Sequence, residues 1–385
     1  MVILAASAVF GQSVNSGSPK YPFPHAVTYP HGTMLNSAVY SQTTQNAAVS
    51  NMYNSWYTNA VTSGGAGGTT VVNGSTITRL RVFRNTNSND TVSEGIGYGM
   101  LFAAEMADKP LMDGLYAYAL QYIDNNHLMN WQINSGGSVI GSGGATDADE
   151  DMAEALLMAD AQWGSATTYN YKNEAQLILN GIYNNEIGAD GRVYPGDQFQ
   201  SPYYSSYMEP AWWRCWASKD AVGTHNWNNV INWAYNTFFK TIYTTYTTGF
   251  MPETTNASWA PNTTTMGYDA SRYPIRVGLD YLWNGASGSS TYVGKMASTM
   301  NTAVGGGTAW GNEVEEYWNI QTGAPSGSNV SGLQIGGALV SEMVAGNQNN
   351  ADTLWSMIQP GSGHGFMSTG FQYFQDSLCV WGALV

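Results

Sequence analysis

A chain of 385 residues that is 43% hydrophobic has ample apolar material for a large core. Only 10% of the residues are charged while 13% are aromatic, and 13 Lys+Arg against 27 Asp+Glu leave a formal net charge of −14. Such a chain repels polyanions, which excludes nucleic acid and anionic membrane surfaces as partners. Its hydroxyls, amides and rings suit a neutral, hydroxyl-rich ligand instead.

The opening "MVILAASAVFGQS" is an apolar run ending in small residues. It reads as the remainder of a secretory signal over residues 1–11, with Val9 and Gly11 at the −3 and −1 cleavage positions, and so predicts a secreted, extracellular protein. The run is too short to span a bilayer, and no membrane association is expected. "YPFPHAVTYPHG" (21–32) then reads as an extended, Pro-rich arm.

From residue 36 onward, segments of helical periodicity alternate with Gly/Ser/Asn/Thr loops. The pattern predicts helices over 36–60, 95–107, 110–125, 147–163, 171–187 and 210–220. Further helices are expected over 226–242, 272–284, 288–303, 331–346, 350–358 and 370–383. "TTVVNGSTIT" (69–78) reads as a short β-hairpin excursion from a loop. No linker divides the chain, so about twelve helices in one unit over 12–385 predict an all-α fold, an (α/α)6 barrel. A solenoid would need an internal repeat that is not visible. For Cys215 and Cys379, a long-range disulfide and two buried thiols are both open readings. The five histidines are scattered, with no zinc-site spacing, so no metal is expected.

Three carboxylates stand out. Glu94, in "TVSEGIGYGM" (91–100), is set at an expected helix start with no basic residue nearer than Arg84 or Lys109. A helix-capping carboxylate and a proton donor both fit that position. Gly95, Gly97 and Gly99 each cost a helix about 1 kcal/mol relative to alanine, a cost explained if a bulky ligand closely approaches the backbone. Asp147 follows a Gly-rich loop and opens an amphipathic run in which Met152, Ala155, Leu156, Ala159 and Trp163 share a face. Asp151 lies one turn on, with Asp149 and Glu150 around the helix. Asp269 precedes another amphipathic helix, and Arg272, one turn later, is placed to hold it ionised and aimed; a simple surface ion pair is the plainer alternative. Asp280 is expected to pair with Arg276 at i, i+4.

These segments resemble glycoside hydrolase family 8. "ATDADEDMAEALLMADAQW" (145–163) fits the family signature, which runs from Ala-Ser/Thr-Asp-Ala/Gly-Asp through an Ile/Met-Ala pair to an aromatic residue, at every defined position. "SEGIGYGMLFA" resembles the segment bearing the family's general acid, and "YDASR" the segment bearing its base. "LMNWQIN", "YPGDQF" and "SYMEPAWW" resemble further cleft segments in the family's order, so the similarity covers roughly residues 20–383. The stretch before Asp269, "MPETTNASWAPNTTTMGY", is poorly matched.

The resemblance implies Glu94 as proton donor to the glycosidic oxygen, Asp269 as the base that activates water, and Arg272 as the group orienting it. It implies Asp147 as the acid that holds the distorted sugar, Tyr207 as a hydroxyl near the attacking water, and Trp131 and Phe199 as ring-stacking positions. Phe199 departs from the tryptophan of its family counterpart. Tyr203, Tyr204, Trp212 and Trp213 are candidates to extend the aromatic groove, although Trp212 and Trp213 fit core packing equally well. The implied activity is an inverting, cofactor-independent endo-β-1,4-glycanase acting as a monomer on cellulose-type glucan. Xylan is the rival substrate, mixed-linkage glucan and chitosan come behind it, and a non-catalytic glycan-binding protein is the alternative from another class.

Overall fold

The computed structural model describes residues 18–25, 27–304, 316–326 and 332–385, so the expected leader over 1–11 lies outside the described residues. Two compact units are distinguished. The first comprises residues up to 27 together with 53–186 and 196–199; the second comprises 28–52, 187–195 and 200–385.

The chain enters its helices at α1 (Gln42–Ala60), six residues later than the periodicity suggested. The segment before it is held as turns, with the Asn36 side chain accepting the Ala38 amide at 3.0 Å. Such a local bond offers the backbone an alternative to helix.

The first unit is organised around α2 (Ser93–Glu105), α3 (Lys109–Ala119), α4 (Thr146–Trp163) and α5 (Tyr171–Asn185). Asp108 caps α3 by accepting the Leu111 amide at 3.1 Å, and Asn170 caps α5 by accepting the Asn173 amide at 3.1 Å. Helix α3 ends six residues short of the expected limit, where Leu120 to Tyr122 close turn bonds instead. Inside this unit the buried Lys109 ammonium meets Asp113 at 2.6 Å and Thr168 at 2.8 Å, and the Tyr171 hydroxyl donates to the same carboxylate. The expected hairpin forms from Thr69–Val72 and Ser75–Thr78. Its two-residue turn, Asn73-Gly74, has φ of 47° and 81°, the left-handed geometry that suits the twist of paired strands.

The second unit contains α6 (Pro210–Lys219), α7 (Trp227–Trp233), α8 (Lys240–Thr245), α9 (Tyr273–Asn284) and α10 (Ser287–Ala303). It closes with α11 (Gly332–Ala345), α12 (Gln348–Ile358) and α13 (Tyr373–Leu384). A π-helical stretch, Ala234–Phe239, joins α7 to α8, so the two run on as a single helical rod. Counted that way, the described residues carry the twelve helical rods expected. Helix α11 is buried from Gly332 to Val344, on all its faces, as its mostly apolar sequence favours. It packs on α9, α10, α12 and α13. Its contact with α13 is backbone to backbone: a Cβ on Gly336 would lie 2.4 Å from the Leu378 carbonyl oxygen.

One expected pairing is replaced. Asp280, fully buried on α9, receives Arg214 Nε at 2.7 Å and the Tyr235 hydroxyl at 2.7 Å, rather than pairing with Arg276. Arg276 instead meets Glu209, with its guanidinium over the rings of Trp212 and Trp381. Spacing along one helix could not anticipate these partners, because Arg214 and Glu209 arrive from α6 and the residue before it and Tyr235 from the π-helical stretch. Cys215 and Cys379 form no disulfide; the Cys379 thiol is buried and donates to the Gly332 carbonyl at 3.3 Å.

Candidate active site

In the first unit, the strand Thr91–Val92 runs directly into α2, so Glu94 falls in the helix's first turn. The strand pairs with Gln132–Ile133, and the Ser93 amide donates to the Trp131 carbonyl at 3.0 Å. The acid's turn and Trp131 are thereby tied through backbone. The indole of Trp131 lies directly against Gly141, where a Cβ would come within 2.4 Å of ring atom Cε2. Only glycine leaves the ring that seat. Trp131 and Glu94 are both partly exposed.

Asp147 opens α4 from the second helical position and is buried, with 2% of its surface exposed. Helices α2 and α4 meet by their N-terminal turns: a Cβ on Gly97 would stand 2.6 Å from Asp151 Cβ and 3.3 Å from the Ala148 carbonyl oxygen. For Gly97 and Gly99 this corrects the reading of the α2 glycines as clearance for a ligand. Gly97 admits α4, and Gly99 admits Leu115, at 2.6 Å from its virtual Cβ. Glu94 and Asp147 thus stand in the first turns of two helices in contact.

Behind Asp147 lies a pair of fully buried carboxyl groups, Asp149 and Glu186. A Cβ on Gly144 would lie 2.5 Å from Asp149 Oδ2 and 3.0 Å from Glu186 Oε1, so both acids crowd one point of the loop. Burial is the main force pushing the Asp149 carboxyl well above its usual range; the Met129 amide, donating at 3.2 Å, opposes it, and the Asp147 charge adds to it. Glu186 is pushed the same way by burial and then by Asp149 and Glu150.

Phe199, 40% exposed, rides on a loop fastened to the same region. Asp197 accepts the Gly144 amide at 2.8 Å and the Asn126 side-chain amide at 2.8 Å. The first unit therefore carries Glu94, Asp147, Trp131 and Phe199 on elements bonded to one another.

In the second unit, Asp269 begins a 3-10 turn, Asp269–Arg272, that continues into α9. Its side chain is 38% exposed, while that of Arg272 is 1% exposed. Arg272 Nη2 reaches Asp269 Oδ1 at 3.2 Å, and Nε donates to the Asp269 carbonyl at 3.2 Å. The guanidinium lies 5.5 Å from the Tyr207 ring centroid and 5.6 Å from that of Phe374. Tyr207 stacks in turn on Tyr204, with centroids 4.6 Å apart and planes 16° from parallel. Buried, stacked and doubly engaged, the cation favours an ionised, oriented carboxylate at Asp269.

Tyr203 and Trp212 sit differently from the other aromatic candidates. Each is only 3% exposed. Tyr203 packs edge-on against Trp259, with centroids 4.9 Å apart, and Trp212 stacks on Trp381 at 6.4 Å. Trp213 is fully buried. These rings fill the core and present little surface to a ligand. Conversely, Tyr268 is 53% exposed and stacks on Phe374 at 4.4 Å, beside Asp269. Its adjacency to Asp269 was a usable sequence signal; Phe374, far along the chain, gave none. Among the described residues no cluster of three or more His, Cys, Asp or Glu could hold a metal ion, and no helix is long and apolar enough to cross a membrane.

The first unit thus ties the turn of Glu94 to Trp131, and the second clamps Asp269 with a stacked arginine. Residues 22–379 match the family described as "Glycosyl hydrolases family 8", and the chain belongs to that family. It is 35% identical over 302 residues to Endoglucanase 2 of Ruminiclostridium josui, covering 76% of this chain and 62% of that protein. It is 35% identical over 273 residues to Endoglucanase A of Acetivibrio thermocellus, covering 68% of this chain and 54% of that one. The chain thus spans about six-tenths of the length of these curated relatives. Among solved structures, the β-1,3-1,4-glucanase of Paenibacillus sp. X4 superposes with a TM-score of 0.81 at 26% identity, over 95% of this chain and 97% of that one. Together with the family match, that likeness bears out the all-α, (α/α)6-barrel fold class.

Proposed function

We propose that this chain is an inverting endo-β-1,4-glycanase, secreted and acting on cellulose-type glucan, with residues 12–385 forming one catalytic domain. The observation that carries the reading is the buried Arg272 holding a partly exposed Asp269 beside the exposed ring of Tyr268. In this mechanism Asp269 takes a proton from water, which attacks the anomeric carbon. Glu94, protonated, gives its proton to the departing glycosidic oxygen. Inversion requires the two carboxyl groups to stand about 6.5–9.5 Å apart, leaving room for that water. Asp147 holds the ring of the sugar being cleaved, the Tyr207 hydroxyl lies near the attacking water, and Trp131 and Phe199 stack neighbouring sugars. Curated relatives named endoglucanase, among them the two given above, favour glucan as substrate.

Reducing-sugar release from carboxymethylcellulose, glucuronoxylan, lichenan and chitosan, run side by side, tests the substrate; fastest release from glucuronoxylan would transfer the assignment to xylan. NMR of fresh product should show the α-anomer first, and an initial β-anomer would overturn inversion. Glu94→Gln and Asp269→Asn should each lower kcat by about 100–10,000-fold while retaining oligosaccharide binding. Wild-type rates from either would remove that residue from its role.

A further inference from the structure

The turn that carries Asp269 has no capping side chain of its own. A 3-10 turn leaves its first amides without partners inside the turn, and they need an acceptor from elsewhere. Glu253, sixteen residues upstream, provides it: Oε2 accepts the Ala270 amide at 3.0 Å. The Asp269 amide also acts on this carboxyl as a hydrogen-bond donor. We propose that Glu253 is a positioning residue for Asp269, fixing the turn from one side so that the Asp269 carboxylate keeps its aim while Arg272 clamps it from the other. The inference rests on the reading of Asp269 as the base.

Glu253 is itself firmly placed. Pro252, just before it, accepts the Ser205 hydroxyl at 2.7 Å, and Thr254–Thr255, just after it, pairs with Tyr203–Tyr204. Its own amide donates to the Thr265 carbonyl at 3.4 Å. Close approach of its carboxyl depends on Gly267, where a Cβ would lie 2.7 Å from Glu253 Oε1 and 2.2 Å from the Tyr317 ring. The groups that face it are therefore Asp269 and Arg272 from the turn and Tyr317 from the facing strand region. Burial is the main force pushing the carboxyl upward, opposed first by the Ala270 amide. A neutral acceptor of the same shape should serve this role, so glutamine is the conservative replacement. Glu253 lies in the stretch "MPETTNASWAPNTTTMGY", which the family resemblance leaves unexplained.

The experiment uses Glu253→Ala and Glu253→Gln in the wild-type and Asp269→Asn backgrounds. Cellohexaose is the substrate, or xylohexaose if xylan proves preferred, and each preparation's thermal unfolding is measured. Glu253→Ala should lower kcat by about 10–100-fold with KM within about threefold, since a misaimed base loses rate rather than binding. Glu253→Gln should keep at least about a third of kcat, and Glu253→Ala should cost less than about twofold more once Asp269 is Asn, because residues acting through one group are not additive. Unchanged kcat in folded Glu253→Ala would overturn the proposal. So would multiplicative losses in the double variant, or a folded Glu253→Gln as slow as Glu253→Ala. Failure of the underlying reading is seen separately, as near-wild-type turnover by Asp269→Asn alone.

Discussion

Arg272 Nη2 stands 3.2 Å from Asp269 Oδ1, and the two differ sharply in exposure, 1% for the cation's side chain against 38% for the carboxylate's. The guanidinium is fixed by the rings of Tyr207 and Phe374, so its partner is aimed by a rigid group rather than a mobile one. Lysine keeps the charge but loses the planar fork and the stacking. Arg272→Lys should therefore lower kcat by about 100-fold with a smaller change in KM. Steady-state kinetics on β-glucan checks this, and an unchanged kcat would show that charge alone suffices.

Asp280 lies in the same helix run, but its partners give it a different task. With its side chain fully buried and held by the partly exposed Arg214 and by Tyr235, Asp280→Asn should destabilise the fold by about 1–3 kcal/mol, because it weakens both hydrogen bonds to a buried carboxylate. The folded fraction should keep its kcat. Urea titration with parallel activity assays separates the two effects, and loss of kcat at unchanged stability would place Asp280 in the chemistry.

Gly97 distinguishes packing from ligand clearance. Alanine there puts a methyl 2.6 Å from Asp151 Cβ, so Gly97→Ala should destabilise the protein by about 1–3 kcal/mol through overpacking of α2 on α4. A variant of wild-type stability with only a raised KM would restore the clearance reading.

Asp376 makes stability depend on pH. Burial raises its pKa to about 6, opposed by the Gln372 and Met367 amides, which donate at 2.6 and 2.7 Å. In the unfolded chain an aspartate ionises near about 3.9. Below that pH both states carry the proton and the group adds no pH dependence. Between the two values the unfolded state alone gives its proton up, so the native state loses stability as pH rises, levelling off above the folded value. The stability of wild type relative to Asp376→Asn should fall by about 2–3 kcal/mol between pH 4 and pH 7. A difference independent of pH, measured by urea unfolding, would contradict the shift.

Local pattern carried most of the architecture. Helix periodicity, Asx caps and the Asn-Gly turn act over a few residues, so the twelve rods and the hairpin at 69–78 were legible with small errors at their ends. The segments around Glu94, Asp147 and Asp269 were equally legible, because each motif is contiguous. Long-range partners were not. Arg214 on Asp280, Glu209 on Arg276, Phe374 over Arg272 and Glu253 beneath Ala270 are brought together only when distant elements pack.

Burial followed the same division. The aromatic residues of 203–213 look alike in sequence, yet Trp212 and Trp213 are core while Tyr204 and Tyr207 are partly exposed and stack beside Arg272. The chain's own pattern determined which residues form helices and which carboxylates head them. Packing alone decided which neighbours those carboxylates meet, because charge partners and exposure depend on distances that sequence order does not contain.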